Sequence, residues 1–364
     1  MARINAFIQL GRDQGGSDIH LAVGSPPLVR LLGELVPIKF RELTADELWD
    51  LVQEIMTDAQ RRSFEAGQDL DFSYYHEEVG RCRVNLYRKV GGIGATFRLI
   101  PATIPGLAEL GLPAVLERLT DAHQGMILVT GATGTGKSTT LASMIDRLNA
   151  RRRLNIITLE DPIEYVHHSQ RSLVVQREVG THVESFSQGL RAALREDPDV
   201  ILVGELRDPE TISMAMTAAE TGHLVLATLH TTSATKTLDR IVDAVPTQQK
   251  GQAAHFLAQH LHGVVSQKLV RTADGRHRKA VVEVLVNTPA IANLIMGGKV
   301  FQIPSVLQTG KGAGMQLMDQ ALLEAVQRKE IDPDDAYLHA TDKKQFQRFV
   351  TDPELLPPVN LTVG

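Results

Sequence analysis

Gly131-Ala132-Thr133-Gly134-Thr135-Gly136-Lys137-Ser138 is the stretch that decides the fold. It matches G-x-x-x-x-G-K-[ST] at every position, and at average composition a chain of this size holds such a match by chance only ~0.01 times. The flanks agree with it. Residues 126–130 are an apolar run suited to a buried strand, and residues 139–148 carry a helical pattern, which gives the strand–loop–helix order that the motif requires. Glycines let backbone N–H groups turn inward and approach phosphate oxygens, and the following helix offers its N-terminus to an anion. Lys137 is a point charge for the β- and γ-phosphates, and Ser138 is the hydroxyl for Mg²⁺. The segment from Gly131 through Thr139 is therefore the expected ATP-binding loop, with ATP and Mg²⁺ as its ligands and Ser138 as the metal-binding residue.

Working outward, short apolar runs at 155–159, 200–203 and 224–229 are separated by helical patterns. That is the texture of an α/β domain with a mostly parallel sheet. Residues 280–286 add a late strand, and from about residue 289 the chain reads as helical, with Leu317, Ala321, Leu322, Ala325 and Val326 on one face. Upstream, residues 4–100 mix both element types. A short helix is expected over 4–10, strands over 17–21 and 28–32, and a helix capped by Thr44. An antiparallel meander is expected over 70–75, 81–88 and 95–100, with Gly91, Gly92 and Gly94 giving its last turn. Pro101, Pro105, Gly106, Gly111 and Pro113 then crowd together. The organisation expected is an N-terminal domain over 1–100, a linker over 101–113 and an ATPase domain over 114–364. The end after Asp352 is rich in proline and reads as loose.

Composition sets limits. A length of 364 residues suggests about two domains, and 43% apolar residues are too many for a disordered chain. Acidic residues outnumber basic ones, 43 to 38, and aromatics are only 4%, so neither a phosphate track nor a stacking platform for nucleic acid is expected. The single cysteine, Cys82, excludes an intrachain disulfide framework and a cysteine-rich zinc module, and it fits a reducing cytoplasm. The N-terminus has no signal-peptide pattern, and no run of about 18 apolar residues occurs. A link to a membrane is expected to pass through partners or a surface helix.

Hydrolysis needs a group to activate water and help with the metal. The stretch DPDVILVGE (197–205) places Glu205 at the end of an apolar strand, as in a Walker B element, with Gly204 where an Asp is usual. Glu205 is therefore the expected base. A second acidic cluster, LEDPIE (159–164), follows the preceding strand. Because open α/β sheets bind ligands at the carboxyl ends of their strands, Glu164 and Glu160 are candidates for assisting metal or water, Glu164 the stronger. The strand at 224–229 runs into His230, placed to bond a γ-phosphate, while His223 just before it is the weaker candidate. Phosphoryl transfer also leaves charge on equatorial oxygens that an arginine can stabilise. Arg81, Arg83 and Arg98 lie on the expected N-terminal strands, Arg81 and Arg83 on one face. Arg195 and Arg207 flank the Walker B-like strand, where carboxylates are near.

Read together, these motifs resemble the secretion-ATPase superfamily and, within it, the PilT-like retraction ATPases of type IV pili. The carrying blocks are GGSDIHL (15–21), GATGTGKSTTLA (131–142), TLEDPIEYVH (158–167), QREVG (176–180), LREDPDVILVGELRDPET (194–211) and AETGHLVLATLHT (219–231). The resemblance runs from about residue 3 to about residue 350. It implies a PAS-like α+β N-terminal domain followed by a RecA-like ATPase domain with a C-terminal helical portion. It also implies a homohexamer with ATP between the domains, and N-terminal arginines that complete the site, which selects Arg83 and Arg98. Residues 158–167 look like the family's Asp box, and His223 and His230 fall in what looks like its His box. The absence of an extra N-terminal domain and of a four-cysteine module favours the retraction branch over assembly ATPases.

One block departs from the family. Where retraction ATPases carry AIRNLIRE, this chain has Ala290-Ile291-Ala292-Asn293-Leu294-Ile295-Met296-Gly297. The resemblance implies a motor for pilin disassembly and twitching motility, cytoplasmic at the inner-membrane face and working through a platform protein. The changed block leaves open a motor with altered coupling or a PilU-like accessory ATPase or scaffold beside a paralogous ATPase. A RecA-like nucleic-acid translocase shares the core chemistry and is the remaining rival.

Overall fold

Alternation of apolar and polar residues pairs the strands of the first unit, Met1–Thr103, into one antiparallel sheet. In chain order its elements are α1 (Asn5–Asp13), β1 (Asp18–Ala22), β2 (Leu28–Leu31), β3 (Glu34–Pro37), α2 (Ala45–Gln53), α3 (Asp58–Glu65), β4 (Leu70–His76), β5 (Gly80–Lys89) and β6 (Gly92–Leu99). The strands lie in the order β3-β2-β1-β6-β5-β4. Both α2 and α3 open with a capping box, Thr44 with Glu47 and Thr57 with Gln60, which satisfies backbone donors that a helix start otherwise leaves open. One face of the sheet buries Ile19, Leu21, Val84, Leu86 and Phe97 against Ile4, Ile8, Leu48, Val52 and Phe64. This is the α+β, PAS-like arrangement expected. Two elements escaped the sequence reading. All four residues of β3 are exposed and α3 buries only Phe64, so neither carries an apolar signature. Gly94 lies inside β6 rather than in the turn, and a Cβ there would meet the Tyr87 ring at 2.6 Å.

The computed structural model describes residues 2–31, 33–101 and 103–356. The second unit, Ile104–Gly364, contains α4 (Val115–Leu119), β7 (Gly125–Thr130), α5 (Lys137–Arg151), β8 (Asn155–Glu160), β9 (Leu173–Glu178), α6 (Phe186–Ala193), β10 (Val200–Val203), α7 (Pro209–Glu220), β11 (Leu224–Leu229), α8 (Ala234–Ala244), α9 (Lys250–His260), β12 (Leu261–Arg271), β13 (Arg278–Val286), α10 (Pro289–Met296), α11 (Ile303–Thr309), α12 (Met318–Gln327) and α13 (Pro333–His339). The sheet order is β13-β12-β7-β11-β10-β8-β9. Every neighbouring pair is parallel except β12 with β13. The residues of β7, β10 and β11 are all buried, as the unbroken apolar runs require of strands covered on both faces. Helices after α9 pack as the C-terminal portion, with Met318, Leu322, Ala325 and Val326 of α12 buried against Val270 and Val281.

Most of the stretch expected as linker belongs to this second unit. Leu107 and Leu112 are buried with Val115 and Leu116 in its core, so the prolines and glycines punctuate a packed segment. Ala102 in that stretch, Leu32 at the end of the strand expected over 28–32, Met1, and residues 357–364 of the proline-rich end lie outside the described residues. Among the described residues no helix is long and apolar enough to cross a membrane.

Candidate nucleotide-binding site

Strand register assembles the site. Leu229 of β11 pairs with Thr130 of β7, Ala227 of β11 with Val203 of β10, and Val203 with Leu159 of β8. The residues at or just past these positions, Gly131, Glu160, Glu205 and His230, therefore share the carboxyl edge of one parallel sheet, where ligands of open α/β sheets bind.

The phosphate loop leaves β7 and enters α5 at Lys137. Gly131, Gly134 and Gly136 have φ of +146°, +79° and +84°, values that side chains with a Cβ resist. At Gly131 a Cβ would also meet the Gln267 carbonyl oxygen at 2.4 Å. The Lys137 ammonium donates to the carbonyl oxygens of Gly131 and Ala132, both at 2.9 Å. Burial lowers its pKa, while the charges of Glu205 and Glu164 oppose that shift. The loop is braced from β12 by Gln267, a buried residue with no role in the sequence reading. Its Nε2 donates to the Thr135 carbonyl (2.7 Å), and its Oε1 accepts from Thr140 Oγ1 (2.8 Å). A polar residue inside a strand, LHGVVSQKLVR, is the signal that could have found it. A cleft of about 500 Å³ borders the loop, lined in part by Thr133, Thr135, Gln267, Arg271 and His339.

Glu205 follows β10 and is held from two sides. His230 Nε2 lies 2.9 Å from its Oε1, and Arg207 Nη2 lies 2.9 Å from its Oε2. Arg207 also reaches Asp161 at 3.6 Å. The side chain of Glu205 is 18% exposed, so it is sheltered yet open to a small ligand. Glu160 sits deeper. Burial pushes its carboxyl up to about 7, against the hydrogen bonds it accepts from Thr158 Oγ1 (2.6 Å) and Gln176 Nε2 (3.1 Å). Residues of the QREVG block shape this acidic loop from β9. Gln176 also donates to the Tyr165 carbonyl at 2.8 Å, and the buried Glu178 accepts from the Ile163 N–H at 3.0 Å. Tyr165 in turn bonds Thr139 on α5 through its hydroxyl, at 3.0 Å. The acidic loop is thus tied to the helix that begins at the phosphate loop.

One candidate of this unit lies at the other edge of the sheet. His223 stands before β11, beside Gly125 at the start of β7, so it occupies the amino edge of the sheet, about 20 Å along the strand from His230. There it bonds the Ala218 carbonyl at 2.9 Å. His223 therefore stands at the sheet edge opposite the phosphate loop of its own chain. Arg83 and Arg98 lie in the first unit, on β5 and β6, paired with Asp71 (2.6 Å) and Asp18 (3.1 Å) respectively.

Among the described residues no group of three or more His, Cys, Asp or Glu could hold a metal. Mg²⁺ binds through one or two protein groups together with phosphates and waters. Ser138, at the second residue of α5, would be the protein hydroxyl on it.

Residues 106–330 match the family described as "Type II/IV secretion system protein". The chain is 46% identical over 343 residues to "Type IV pilus retractation ATPase PilT" of Pseudomonas aeruginosa, covering 94% of this chain and 99% of that one. The chain belongs to the PilT-type branch of the type II/IV secretion ATPases. Other relatives of this branch agree. A "Twitching motility protein" of Neisseria gonorrhoeae is 48% identical over 88% of this chain and 86% of its own. "Type IV pilus ATPase PilU" of P. aeruginosa is 40% identical over 94% and 90%. A crystal structure described as the pilus retraction motor PilT with bound ADP superposes with a TM-score of 0.88 at 43% identity, covering 96% of this PilT-type chain and all of that one. The fold and family expected from the motifs are both borne out.

Proposed function

We propose that this chain is a hexameric, ATP-hydrolysing motor that retracts a type IV pilus. The observation that carries the reading is the Glu205 carboxylate, bonded by His230 and Arg207 at the sheet edge that also bears the phosphate loop. ATP binds with its phosphates in the Gly131–Thr139 loop, against backbone N–H groups and Lys137. Glu205 accepts a proton from the attacking water. His230, bonded to the same carboxylate, senses whether the terminal phosphate is present. Glu164 and Glu160 assist from the acidic loop. Arg83 and Arg98 supply positive charge to the transferring phosphoryl group at a site in the ring. Mg²⁺ would be held by Ser138 and the phosphates and would supply charge neutralisation.

Turnover moves the two units of each subunit relative to one another. That motion, passed round the ring, drives pilin disassembly through an inner-membrane platform protein, with the motor on the cytoplasmic face. The names of its relatives, a type IV pilus retraction ATPase and a twitching motility protein, support this reading. A second reading rests on α10: Met296 is 51% exposed, and it and Ala292 and Gly297 stand where the retraction branch carries Arg, Arg and Glu. On that reading the chain is an accessory ATPase that works beside a paralogue. Deleting the gene in its host and imaging pili tests both. Long, non-retracting pili restored by the parent chain but not by Glu205→Gln support the motor. Normal retraction without the gene, slowed only when a paralogue is also weakened, supports the accessory role.

A further inference from the structure

The GGSDIHL block is the one motif of the sequence that the proposed chemistry does not use. Its Asp18 sits in a row of charges across the N-terminal sheet. Register aligns Arg30 of β2, Asp18 of β1, Arg98 of β6 and Arg83 of β5 side by side, and directly opposed residues point to the same face. Arg83 and Arg98 are immediate neighbours, and like charges in that relation repel. Each is paired with a carboxylate, but the two pairs differ. Asp71, the partner of Arg83, is 45% exposed and takes both the Nε (3.0 Å) and the Nη2 (2.6 Å) of that guanidinium in a bidentate pair. The Asp18 side chain is 10% exposed. A carboxylate this sheltered is costly unless it is compensated. Asp18 is compensated by Arg98 Nε at 3.1 Å, Ser17 Oγ at 2.8 Å and Arg30 Nε at 3.9 Å.

The geometry at Arg98 has a chemical consequence. Its side chain is 62% exposed, and only its Nε is spent on Asp18. Among the described residues its two Nη groups have no hydrogen-bond partner. A guanidinium is a rigid planar fork. Fixing Nε against a sheltered carboxylate fixes the plane, and the remaining donors face outward in a set direction. We infer that Asp18 is a positioning residue for Arg98, holding its guanidinium as a preset fork for the equatorial oxygens of a phosphoryl group. This rests on the role proposed above for Arg98. Aligning a charged group before the reaction removes an entropic cost from the reacting step, so Asp18 acts on kcat rather than on nucleotide affinity.

A double-mutant cycle on the full chain tests it. Steady-state kcat and KM for ATP are measured for the parent, Asp18→Ala, Arg98→Ala and the double variant, with thermal melting and particle mass on the same samples. With Arg98 present, Asp18→Ala lowers kcat about tenfold and leaves KM within about twofold. Without Arg98, the same change costs nothing further. A merely structural Asp18 would cost the same factor in both backgrounds, and that result overturns the proposal. If Arg98→Ala alone turns over at the parent rate, the role of Arg98 fails and the proposal with it. If Arg98→Ala is slow and the two effects add, only the proposal about Asp18 fails. Should Asp18→Ala not assemble, Asp18→Asn carries the same cycle. Its amide oxygen still accepts from Nε, so the factor is smaller and must again vanish without Arg98.

Discussion

The Oε1 of Glu205 lies 2.9 Å from the Nε2 of His230, a contact between residues that follow adjacent parallel strands. It links the end of β10 to the end of β11 at the edge that carries the phosphate loop. A change in the bonding of either residue is therefore felt by the other. If Glu205 is the base, Glu205→Gln lowers kcat ~10²–10⁴-fold with little change in KM. Steady-state hydrolysis with a melting control checks this, and a variant that keeps more than a tenth of the parent rate removes Glu205 from that role.

Gln267 offers a test of the loop itself. Truncation to Ala removes bonds to the Thr135 carbonyl and the Thr140 hydroxyl, together ~2 kcal/mol. Nucleotide affinity, followed with a fluorescent ADP analogue, falls about tenfold, and the melting temperature drops.

Gly131→Ala is the sharper lesion. Its Cβ would meet a backbone oxygen at 2.4 Å with φ at +146°, and a backbone atom cannot swing aside as a flexible side chain does. Binding of the same analogue is lost, whereas Gly134→Ala, where no atom lies within 4 Å, loses less and only through its positive φ.

Glu160 predicts a pH dependence of stability. Its carboxyl is raised in the folded state to about 7 from the ordinary 4.5 because burial disfavours the charged form. The folded state therefore binds the proton more tightly than the unfolded one. Its contribution is fully present below about pH 4.5 and is lost as pH rises through 7. Glu160→Gln keeps an oxygen for Thr158 and Gln176 without the charge. The variant is expected to gain on the parent between pH 5 and pH 8, by on the order of a few kcal/mol. His167, lowered by burial to about 4, loses its contribution as pH falls below 6.5. It acts in the opposite sense and is common to both chains. Melting curves across this range, with a difference that does not change with pH, would contradict the account.

Much of this was legible in the sequence, and the reasons are physical. The strands at 126–130, 200–203 and 224–229 are unbroken apolar runs because helices cover both faces of the sheet, and each is present in the fold. Glu205 and His230 could be placed together because strand ends in such a sheet share one edge. What escaped lacks a periodic signal. The edge strand β9 is half exposed, and β12 interrupts its apolar run with buried Ser266 and Gln267. Those polar residues have partners that only the fold supplies. Sequence proximity likewise grouped His223 with His230, although the intervening strand carries them to opposite edges.

The claim on which the rest depends is that the site works in an assembled ring. ATP turnover per protomer, measured against protein concentration with particle mass on the same samples, tests it most directly. The account predicts a rate that rises as hexamers form, and hexamers of Glu205→Gln that form but do not turn over. A rate per protomer that stays constant from monomer to hexamer would contradict it.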